Sequence, residues 1–396
     1  MTTASFPSYV VRILSKLNME GFEAYAVGGC IRDCLRGQTP EDWDLCSAAR
    51  PEQVMEIFGD MALPTGLKHG TVTVLCEGKS LELTTFRKEG TYSDHRRPDK
   101  VDFVRNIRDD LARRDFTINA MAMGRQGELL DPFGGKEDLE KALIRCVGEA
   151  EERFEEDALR MFRALRFSAK LGFSLEEKTL DALRKKAPLC ADLAPERMQA
   201  ELCKMLLFPC ADALKIMWQA GLFPRLAPQL HGELDHRLDA ALHRLEQLPP
   251  MLDQRLSAFC ALAEHYAGLD SEAFLRDLRC SSEEIRRCSR AAKAAQQPLP
   301  QNAPEMKRLL YRLGEDTVRC CGSAAAVLEP ERPFLSPESV LASGECWNLS
   351  QLQVKGDDLL ALGYKGKELG AALEQLLFHV MDHPEDNVRE QLLLLL

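Results

Sequence analysis

The sequence predicts an α+β amino-terminal region, with a mixed sheet and helices, followed by an all-α remainder. Short segments rich in β-branched and aromatic residues, which favour strands, all lie in the amino-terminal part. They are residues 24–27, 43–46, 71–76, 81–86 and 99–104. From about residue 141 onward, apolar residues recur instead at the spacing of amphipathic helices. The predicted helices of this part include residues 149–171, 174–186, 195–207 and 210–220.

Two further helices are predicted in the amino-terminal region. Residues 5–19 have helical apolar spacing, and residues 30–35 read as a helix that starts directly after the paired glycines ending the first strand. Nearer the carboxyl end, the proline-bearing stretches 296–304 and 329–337 interrupt the helical pattern. We expect linkers or long loops there.

The composition is that of an ordinary globular protein of 396 residues. Its fourteen cysteines include no CxxC pair and no cluster with zinc spacing, so we expect reduced, buried thiols in a cytoplasmic protein. No apolar run approaches the roughly 20 residues that span a bilayer, and no secretory signal is visible, so we expect no membrane partner. The net charge of −11 argues against nonspecific coating of nucleic acid, although Lys and Arg concentrate between residues 87 and 125.

The segment 27–45, VGGCIRDCLRGQTPEDWDL, combines a flexible turn with a cation and two acids. Gly28 and Gly29 let the backbone turn tightly and come close to a ligand. A helix that begins after them directs free amide groups outward, which favours phosphate binding, and Arg32 adds a positive charge. These residues alone leave open an ordinary Gly-Gly turn.

Asp42 and Asp44 would lie on one face of the predicted strand 43–46, because side chains alternate along a strand. Two adjacent carboxylates repel each other unless a cation lies between them. Mg²⁺ commonly binds one or two carboxylates together with substrate phosphates. The pair therefore indicates metal-assisted phosphoryl or nucleotidyl transfer, while a solvated acidic loop stays open as an alternative.

Glu82 is a candidate third acid. It lies in the predicted strand 81–86 and would face away from its two leucine neighbours. A third carboxylate can complete a two-metal site that binds the attacking and leaving oxygens. A water-exposed glutamate on an edge strand is the alternative.

These residues together resemble the signature of the DNA polymerase β-like nucleotidyltransferases, with GGxxRD at 28–33 followed by DxD at 42–44. More narrowly, the chain is similar to the class II tRNA nucleotidyltransferase and bacterial poly(A) polymerase family, because further segments match in family order. They are RRDFTINA at 113–120, DPFGG at 131–135 with DL at 138–139, EDxLRxxRxxRF at 156–167, PER at 195–197 with EL at 201–202, and VxGxDL at 354–359.

The resemblance implies a domain organisation and a set of nucleotide-binding residues. The implied domains are a nucleotidyltransferase head at 1–140, a helical neck with the nucleotide-selecting helix at 141–208, a helical body at 209–330 and an RNA-binding helical tail at 331–396. The implied nucleotide-binding residues are Gly28, Gly29, Arg32, Arg114, Asp157, Arg160, Arg163 and Arg166. Asp115 and Asn119 would contact the ribose or support the site.

Within the selecting helix, Asp157 and Arg160 would choose the base. Cytosine and adenine both carry an exocyclic amine beside an unprotonated ring nitrogen, so a carboxylate can accept from one and a guanidinium can donate to the other. Uracil and guanine would leave both side chains unpaired, which makes discrimination large. Arg163 and Arg166 would fix the helix or touch the nucleotide. Spacing alone is equally compatible with a salt-bridged helix surface.

The implied reaction is attack of the 3′-hydroxyl of tRNA on the α-phosphorus of CTP or ATP, with release of pyrophosphate. Asp42 and Asp44 would bind Mg²⁺, with Glu82 as the third catalytic acid. We expect addition of CCA, since the loop at 87–99 that CC-adding members shorten is intact here. The alternatives are a CC-adding enzyme, a poly(A) polymerase and a catalytically silent RNA-binding protein. The oligomeric state is left open.

Some members of the family carry a second, phosphohydrolase metal site built on His and His-Asp residues. This chain has His231, Asp235-His236 and His243, in which Asp precedes His. We interpret these residues as belonging to surface helices rather than to a metal site.

Overall fold

The computed structural model describes residues 6–89 and 101–396. The chain divides into two compact units, which comprise Met1–Met205 with Ile216–Gly232 and Leu206–Lys215 with Glu233–Leu396. The predicted loop over residues 87–99 lies outside the described residues from residue 90 onward. The same holds for residue 5 of the first predicted helix and for residues 99 and 100 of the last predicted strand.

The first unit is built on a seven-stranded mixed sheet with the strand order β3-β4-β5-β2-β1-β8-β9. Its strands are β1 Ala24–Val27, β2 Asp44–Ser47, β3 Ala62–Gly66, β4 Thr71–Cys76, β5 Lys79–Thr85, β8 Ala122–Met123 and β9 Leu129–Leu130. β2 and β5 run parallel, whereas the other neighbouring pairs are antiparallel. The mixed sheet confirms the predicted α+β class.

Two smaller strand pairs accompany this sheet. β6, Arg87–Glu89, pairs antiparallel with β7, Val101–Phe103, at the base of the loop whose middle is not described. β10, Leu143–Ile144, pairs in parallel with β11, Ser174–Leu175. The second pair corrects the prediction of a helix over 174–186, because the first two of those residues are in a strand.

Alternating burial gives the sheet two different faces. In β5, Leu81 and Leu83 are buried and Glu82 between them is exposed, as the period of a strand requires. Leu45 and Leu83 belong to an apolar cluster on one face. Cys46 belongs to a second cluster, which contains Val27, Phe86 and Leu111. Asp44 lies two residues before Cys46 and therefore on the face of the second cluster.

The helices complete the first unit and make up most of the second. They are α1 Ser8–Met19, α2 Gly29–Leu35, α3 Pro51–Phe58, α4 Ile107–Ala112, α5 Gly135–Glu140, α6 Ala150–Glu156, α7 Leu159–Leu171, α8 Glu177–Lys186, α9 Pro195–Leu206, α10 Ala211–Ala220, α11 His236–Gln247, α12 Leu252–Ala267, α13 Ser271–Asp277, α14 Ser282–Ala295, α15 Ala303–Leu313, α16 Glu315–Leu328, α17 Pro337–Ser343, α18 Gly356–Ala361, α19 Gly366–Asp382 and α20 Arg389–Leu393.

The prediction of one continuous helix over residues 149–171 is wrong. α6 ends at Glu156 and α7 begins at Leu159. Between them Asp157 has φ −143° and ψ 102°, which is an extended backbone conformation. Asp157 therefore precedes the helix that contains Arg160 instead of sharing a regular helical face with it.

In the second unit, α12, α14 and α16 pack against one another. Small buried residues such as Ala258, Cys260, Ala291 and Cys320 line these helices and let them approach closely. The stretches 296–304 and 329–337 lie mainly in loops between helices, as predicted. Among the described residues, no helix combines the length and apolar character needed to cross a membrane.

Candidate active site

The paired glycines form a turn that only a glycine accommodates. Gly28 has φ 78°, a region that favours glycine, and its amide donates to the Met121 carbonyl at 3.1 Å. A Cβ atom on Gly28 would lie 2.9 Å from Nη1 of Arg114. Gly29 then begins α2. The turn thus brings bare backbone against an arginine side chain.

Two of the three acidic residues, Asp44 and Glu82, lie on the parallel strands β2 and β5. Asp44 is the register partner of Glu82 across the β2–β5 pair. Partial desolvation raises the pKa of the Asp44 carboxyl; Arg114 opposes this shift, and Glu82 and Asp42 add to it. The three carboxylates and Arg114 therefore share one electrostatic environment, in which negative charge is in excess.

The structure corrects one part of the sequence argument about these acids. β2 begins at Asp44, so Asp42 precedes the strand and its position does not follow from strand alternation. Among the described residues, no group of three or more His, Cys, Asp or Glu side chains is arranged to bind a metal ion by itself. Asp42 and Asp44 nevertheless suit a hard cation, since Mg²⁺ takes few protein carboxylates when substrate phosphates supply other oxygens.

Arg114 has a donor that no described residue uses. Its Nη2 lies 3.4 Å from Oδ2 of Asp110, and its Nε is buried with no hydrogen-bond partner among the described residues. A buried guanidinium N–H without a partner is energetically costly unless a ligand completes it. This arrangement next to Gly28 fits the binding of an anionic or polar group.

Arg32 does not lie open to a ligand, although it was predicted to add a cation at the turn. It is buried and donates to both carboxylate oxygens of Asp33 and, at 2.7 Å, to Oδ1 of Asn119. Asn119 in turn donates to Asp115, which accepts from Arg163 at 2.8 and 2.5 Å. This buried chain of hydrogen bonds joins α2 to α7.

The Asp115 carboxylate is ionised inside this chain. Burial by itself would raise its pKa, but Arg163 and the hydrogen bonds it receives lower the pKa below the usual value. Arg163 thus has a carboxylate partner, and Arg166 pairs with Glu201 on α9. Both arginines fix α7 in place, and their contact with a nucleotide stays a prediction.

Asp157 occupies the break between α6 and α7. Its Oδ1 accepts from the Leu159 amide at 3.0 Å, so the carboxylate caps the first turn of α7. Arg197 on α9 donates to both carboxylate oxygens, at 3.2 and 2.8 Å. The helical spacing of residues 156–167 does not predict that Arg197 belongs to this site, although the segment that contains Arg197 is one of the family motifs.

Arg160 lies in the first turn of α7, and its buried guanidinium is oriented by acceptors from neighbouring residues. Nη1 donates to the Arg153 carbonyl at 3.1 Å and to Oε2 of Glu156 at 2.6 Å. Nη2 donates to the Arg113 carbonyl at 2.9 Å. Asp157 and Arg160 are therefore both held in defined orientations by neighbouring protein groups.

The histidines considered for a second metal site lie in different local settings. Asp235 is the N-cap of α11, where its carboxylate accepts from two backbone amides, and His236 is the first residue of that helix. His243 lies 3.3 Å from Glu246 on the same helix. His231 precedes the helix, so the prediction that it belongs to a helix is wrong.

Comparison with known families matches two segments of the chain, most of which lie in the first unit. A model described as the poly A polymerase head domain matches residues 24–145. A model described as a probable RNA and SrmB-binding site of polymerase A matches residues 172–234.

Relatives extend the similarity over nearly the whole chain. The CCA-adding enzyme of Enterococcus faecalis is 36% identical over 388 residues, which are 96% of this chain and 93% of the relative. The CCA-adding enzyme of Geobacillus kaustophilus is 44% identical over 274 residues, which are 69% of this chain and 66% of the relative. The crystal structure of Bacillus stearothermophilus CCA-adding enzyme in complex with CTP is 33% identical, with a TM-score of 0.77 over 95% of this chain and 92% of that one. The chain therefore belongs to the CCA-adding enzymes of the class II tRNA nucleotidyltransferase and bacterial poly(A) polymerase family.

Proposed function

We propose that this chain adds the nucleotides C, C and A to the 3′ end of tRNA, using CTP and ATP and releasing pyrophosphate. One observation supports this most strongly: the similarity to CCA-adding enzymes covers 96% of the chain at 36% identity. The acidic strand, the glycine turn and the selecting residues of the motifs all lie within one unit.

The triphosphate binds at the glycine turn. Gly28 and Gly29 place no side chain at the turn, and the Nε donor of Arg114, which no described residue satisfies, lies on a side chain that approaches Gly28. A guanidinium suits phosphate or ribose oxygens, because its planar N–H groups can donate in pairs. Arg32 acts indirectly: it donates a hydrogen bond to Asn119 and thereby stabilises the shape of the turn.

The acids Asp42 and Asp44 would hold Mg²⁺, and Glu82 supports them as the third catalytic acid. Burial chiefly raises the pKa of Asp44, and the neighbouring Glu82 and Asp42 raise it further; carboxylates grouped in this way favour the binding of a divalent cation. When bound, such an ion stabilises charge on the α-phosphate and the leaving pyrophosphate. The chain's own contribution is to align the 3′-hydroxyl of the RNA with the α-phosphorus held at the turn.

Base selection uses Asp157 and Arg160. The Asp157 carboxylate accepts from the exocyclic amine of cytosine or adenine, and the Arg160 guanidinium donates to the adjacent ring nitrogen. Arg197 and Glu156 orient the two side chains before a base arrives, which lowers the entropic cost of recognition. Uracil and guanine present an oxo group and a ring N–H, so both contacts fail.

Four further assignments belong to the proposal. The domains are a head at 1–140, a neck at 141–208, a body at 209–330 and an RNA-binding tail at 331–396. The loop between β6 and β7 supports addition of the terminal A. The fourteen thiols, none of them in a disulfide, support a cytoplasmic location. Arg163 and Arg166 position α7 for the nucleotide.

The test is incorporation of each nucleoside triphosphate, with Mg²⁺, into three tRNA transcripts that end at the discriminator base, at C and at CC. We expect C on the first two, A on the third, and incorporation of U or G only at a far lower rate on any of them. Asp44→Asn should abolish all incorporation.

Each other result would replace the proposal with a specific alternative. Incorporation of C alone identifies a CC-adding enzyme. Repeated incorporation of A identifies a poly(A) polymerase. Binding of tRNA without any incorporation identifies a catalytically silent RNA-binding protein.

A further inference from the structure

A fully buried carboxylate that belongs to none of the predicted site residues lies behind the catalytic strand. Asp110, in α4, has no exposed surface. Its neighbour Leu111 is in the same apolar cluster as Cys46 of β2. A charged group in such a cluster is costly unless several donors compensate it.

Three arginines donate hydrogen bonds to the Asp110 carboxylate, two through their side chains and one through its backbone amide. Oδ1 accepts from Nε and Nη2 of Arg113 at 3.0 and 2.8 Å and from the Arg87 amide at 3.2 Å. Oδ2 accepts from Nη2 of Arg114 at 3.4 Å. Burial would raise the pKa of Asp110, but these two arginines lower it, so the carboxylate is ionised at neutral pH.

Each of these partners belongs to a different part of the active site. Arg114 lies against the Gly28 turn and next to Asp44. The carbonyl of Arg113 accepts from Arg160, the selecting arginine. Arg87 begins β6, at the base of the loop that follows the acidic strands.

We propose that Asp110 is a positioning residue for nucleotide selection: it fixes Arg114 at the glycine turn and, through Arg113, places the carbonyl that orients Arg160. This inference rests on the proposed nucleotidyltransferase function. Asp110 touches no substrate and acts only through its two neighbouring arginines. Its effect should therefore appear in nucleotide affinity and in base discrimination together.

The main test compares Asp110→Asn with wild type in steady-state incorporation of CTP and UTP into tRNA ending at the discriminator base. Asn keeps the size and one acceptor but removes the charge. Losing one charge-assisted hydrogen bond corresponds to a roughly ten- to hundredfold change. We expect the KM for CTP to rise within that range and the ratio of kcat/KM for CTP to that for UTP to fall at least about fivefold.

A matched control separates this role from simple stabilisation. Asp253 also pairs with an arginine, Arg287, but lies in the second unit, on α12. Asp253→Asn should lower the melting temperature without changing the CTP to UTP ratio. If Asp110→Asn behaves in the same way, Asp110 is structural only and the inference is wrong.

A double-mutant cycle tests whether Asp110 acts through Arg114. In an Arg114→Gln background, Asp110→Asn should add little to the rise in KM, because the group it positions is already absent. Independent, additive increases would overturn the inference.

Arg113→Gln provides a second variant if Asp110→Asn does not fold. Arg113 is less buried than Asp110, and its replacement breaks the same ion pair by changing the more exposed partner. We expect the CTP to UTP ratio to fall at least about threefold, as the Arg113 carbonyl loses its fixed position. An unchanged ratio contradicts the inference, whereas a wild-type chain that incorporates no nucleotide contradicts the proposed function itself.

Discussion

The buried arginines Arg32, in the first unit, and Arg255, in the second, donate to different kinds of acceptor. In the first unit, Arg32 and Arg163 donate mainly to side-chain carboxylate and amide oxygens. In the second unit, the buried Arg255 donates only to backbone carbonyls among the described residues. These carbonyls belong to Leu206, Phe208, Glu246, Leu248 and Pro249.

The difference follows from what each cation stabilises. The carbonyls around Arg255 lie at or just after the carboxyl ends of α9 and α11, where helices have acceptors without internal partners. Such acceptors cannot rotate away, so Arg255 fixes helix ends. Carboxylates on side chains can exchange partners when a charged ligand arrives, and the first unit is where the nucleotide is proposed to bind.

The largest expected effect comes from Asp44→Asn. Activity should fall by more than about hundredfold, because Asp44 is proposed as a metal ligand and the loss of a group that merely supports such a ligand already costs up to about hundredfold. Stability should rise, because the folded pKa of Asp44 is raised, so the ionised carboxylate is less favourable in the folded state than in the unfolded one. Incorporation kinetics and a thermal melt of the same preparation measure both. A lowered melting temperature would contradict this account of Asp44.

The second prediction concerns Arg255→Met, which leaves several buried carbonyls without a donor. We expect the free energy of unfolding to fall by about 4 kcal/mol. Carbonyls do not titrate, so the loss should be the same at acidic and neutral pH. Denaturant unfolding at both pH values tests this, and the CTP to UTP ratio of the folded fraction should match wild type.

Asp115→Asn, by contrast, should lower the free energy of unfolding by an amount that depends on pH. Breaking the ion pair between the buried Asp115 and the partly exposed Arg163 should cost about 2 kcal/mol at neutral pH. Since the folded pKa of Asp115 is lowered, this stability is present above the unfolded value, near 3.8, and is lost as the pH falls through the folded pKa. The difference between wild type and variant should therefore shrink in acid. A difference that stays constant with pH would show that charge is not the source.

The smallest effect is expected for Arg197→Gln. The variant keeps Asp157 capping α7 through the Leu159 amide but removes the ion pair that orients its carboxylate. We expect discrimination between CTP and UTP to weaken by about tenfold or less, because one hydrogen-bonded partner of a selecting group is lost. Single-nucleotide incorporation kinetics measure this ratio. A change in the melting temperature alone would mean that Arg197 only joins helices.

Local chemistry was enough to predict the glycine turn and the direction of Glu82, whereas the binding of phosphate and metal there stays a prediction. Paired glycines before a helix and an Asp-x-Asp next to a strand together favour a phosphate and metal site, and the turn at Gly28 is observed. Alternation in β5 also predicted the orientation of Glu82, and the register then puts it opposite Asp44. The pairing of β2 with β5, which are more than thirty residues apart along the chain, could not be predicted from the sequence.

The break at Asp157 was not predictable from spacing, because no Gly or Pro marks it. Helical propensity is overridden there by two contacts, the cap on Leu159 and the ion pair with Arg197, which lies forty residues away. Asp110 was missed for a similar reason. Its spacing of three and four residues from Arg113 and Arg114 suggests ion pairs on a helix, but burial decides their importance, and burial depends on the fold.

The central claim is that protein side chains, rather than a nucleic acid, choose the added bases. The most direct test is a competition in which wild type and the variants Asp157→Asn and Arg160→Gln extend a tRNA lacking its 3′ end with all four triphosphates present. Sequencing of the 3′ ends should show CCA for wild type and a mixture that includes U and G for both variants. If the active variants still add only C and A in the same order, side-chain selection by these two residues is wrong.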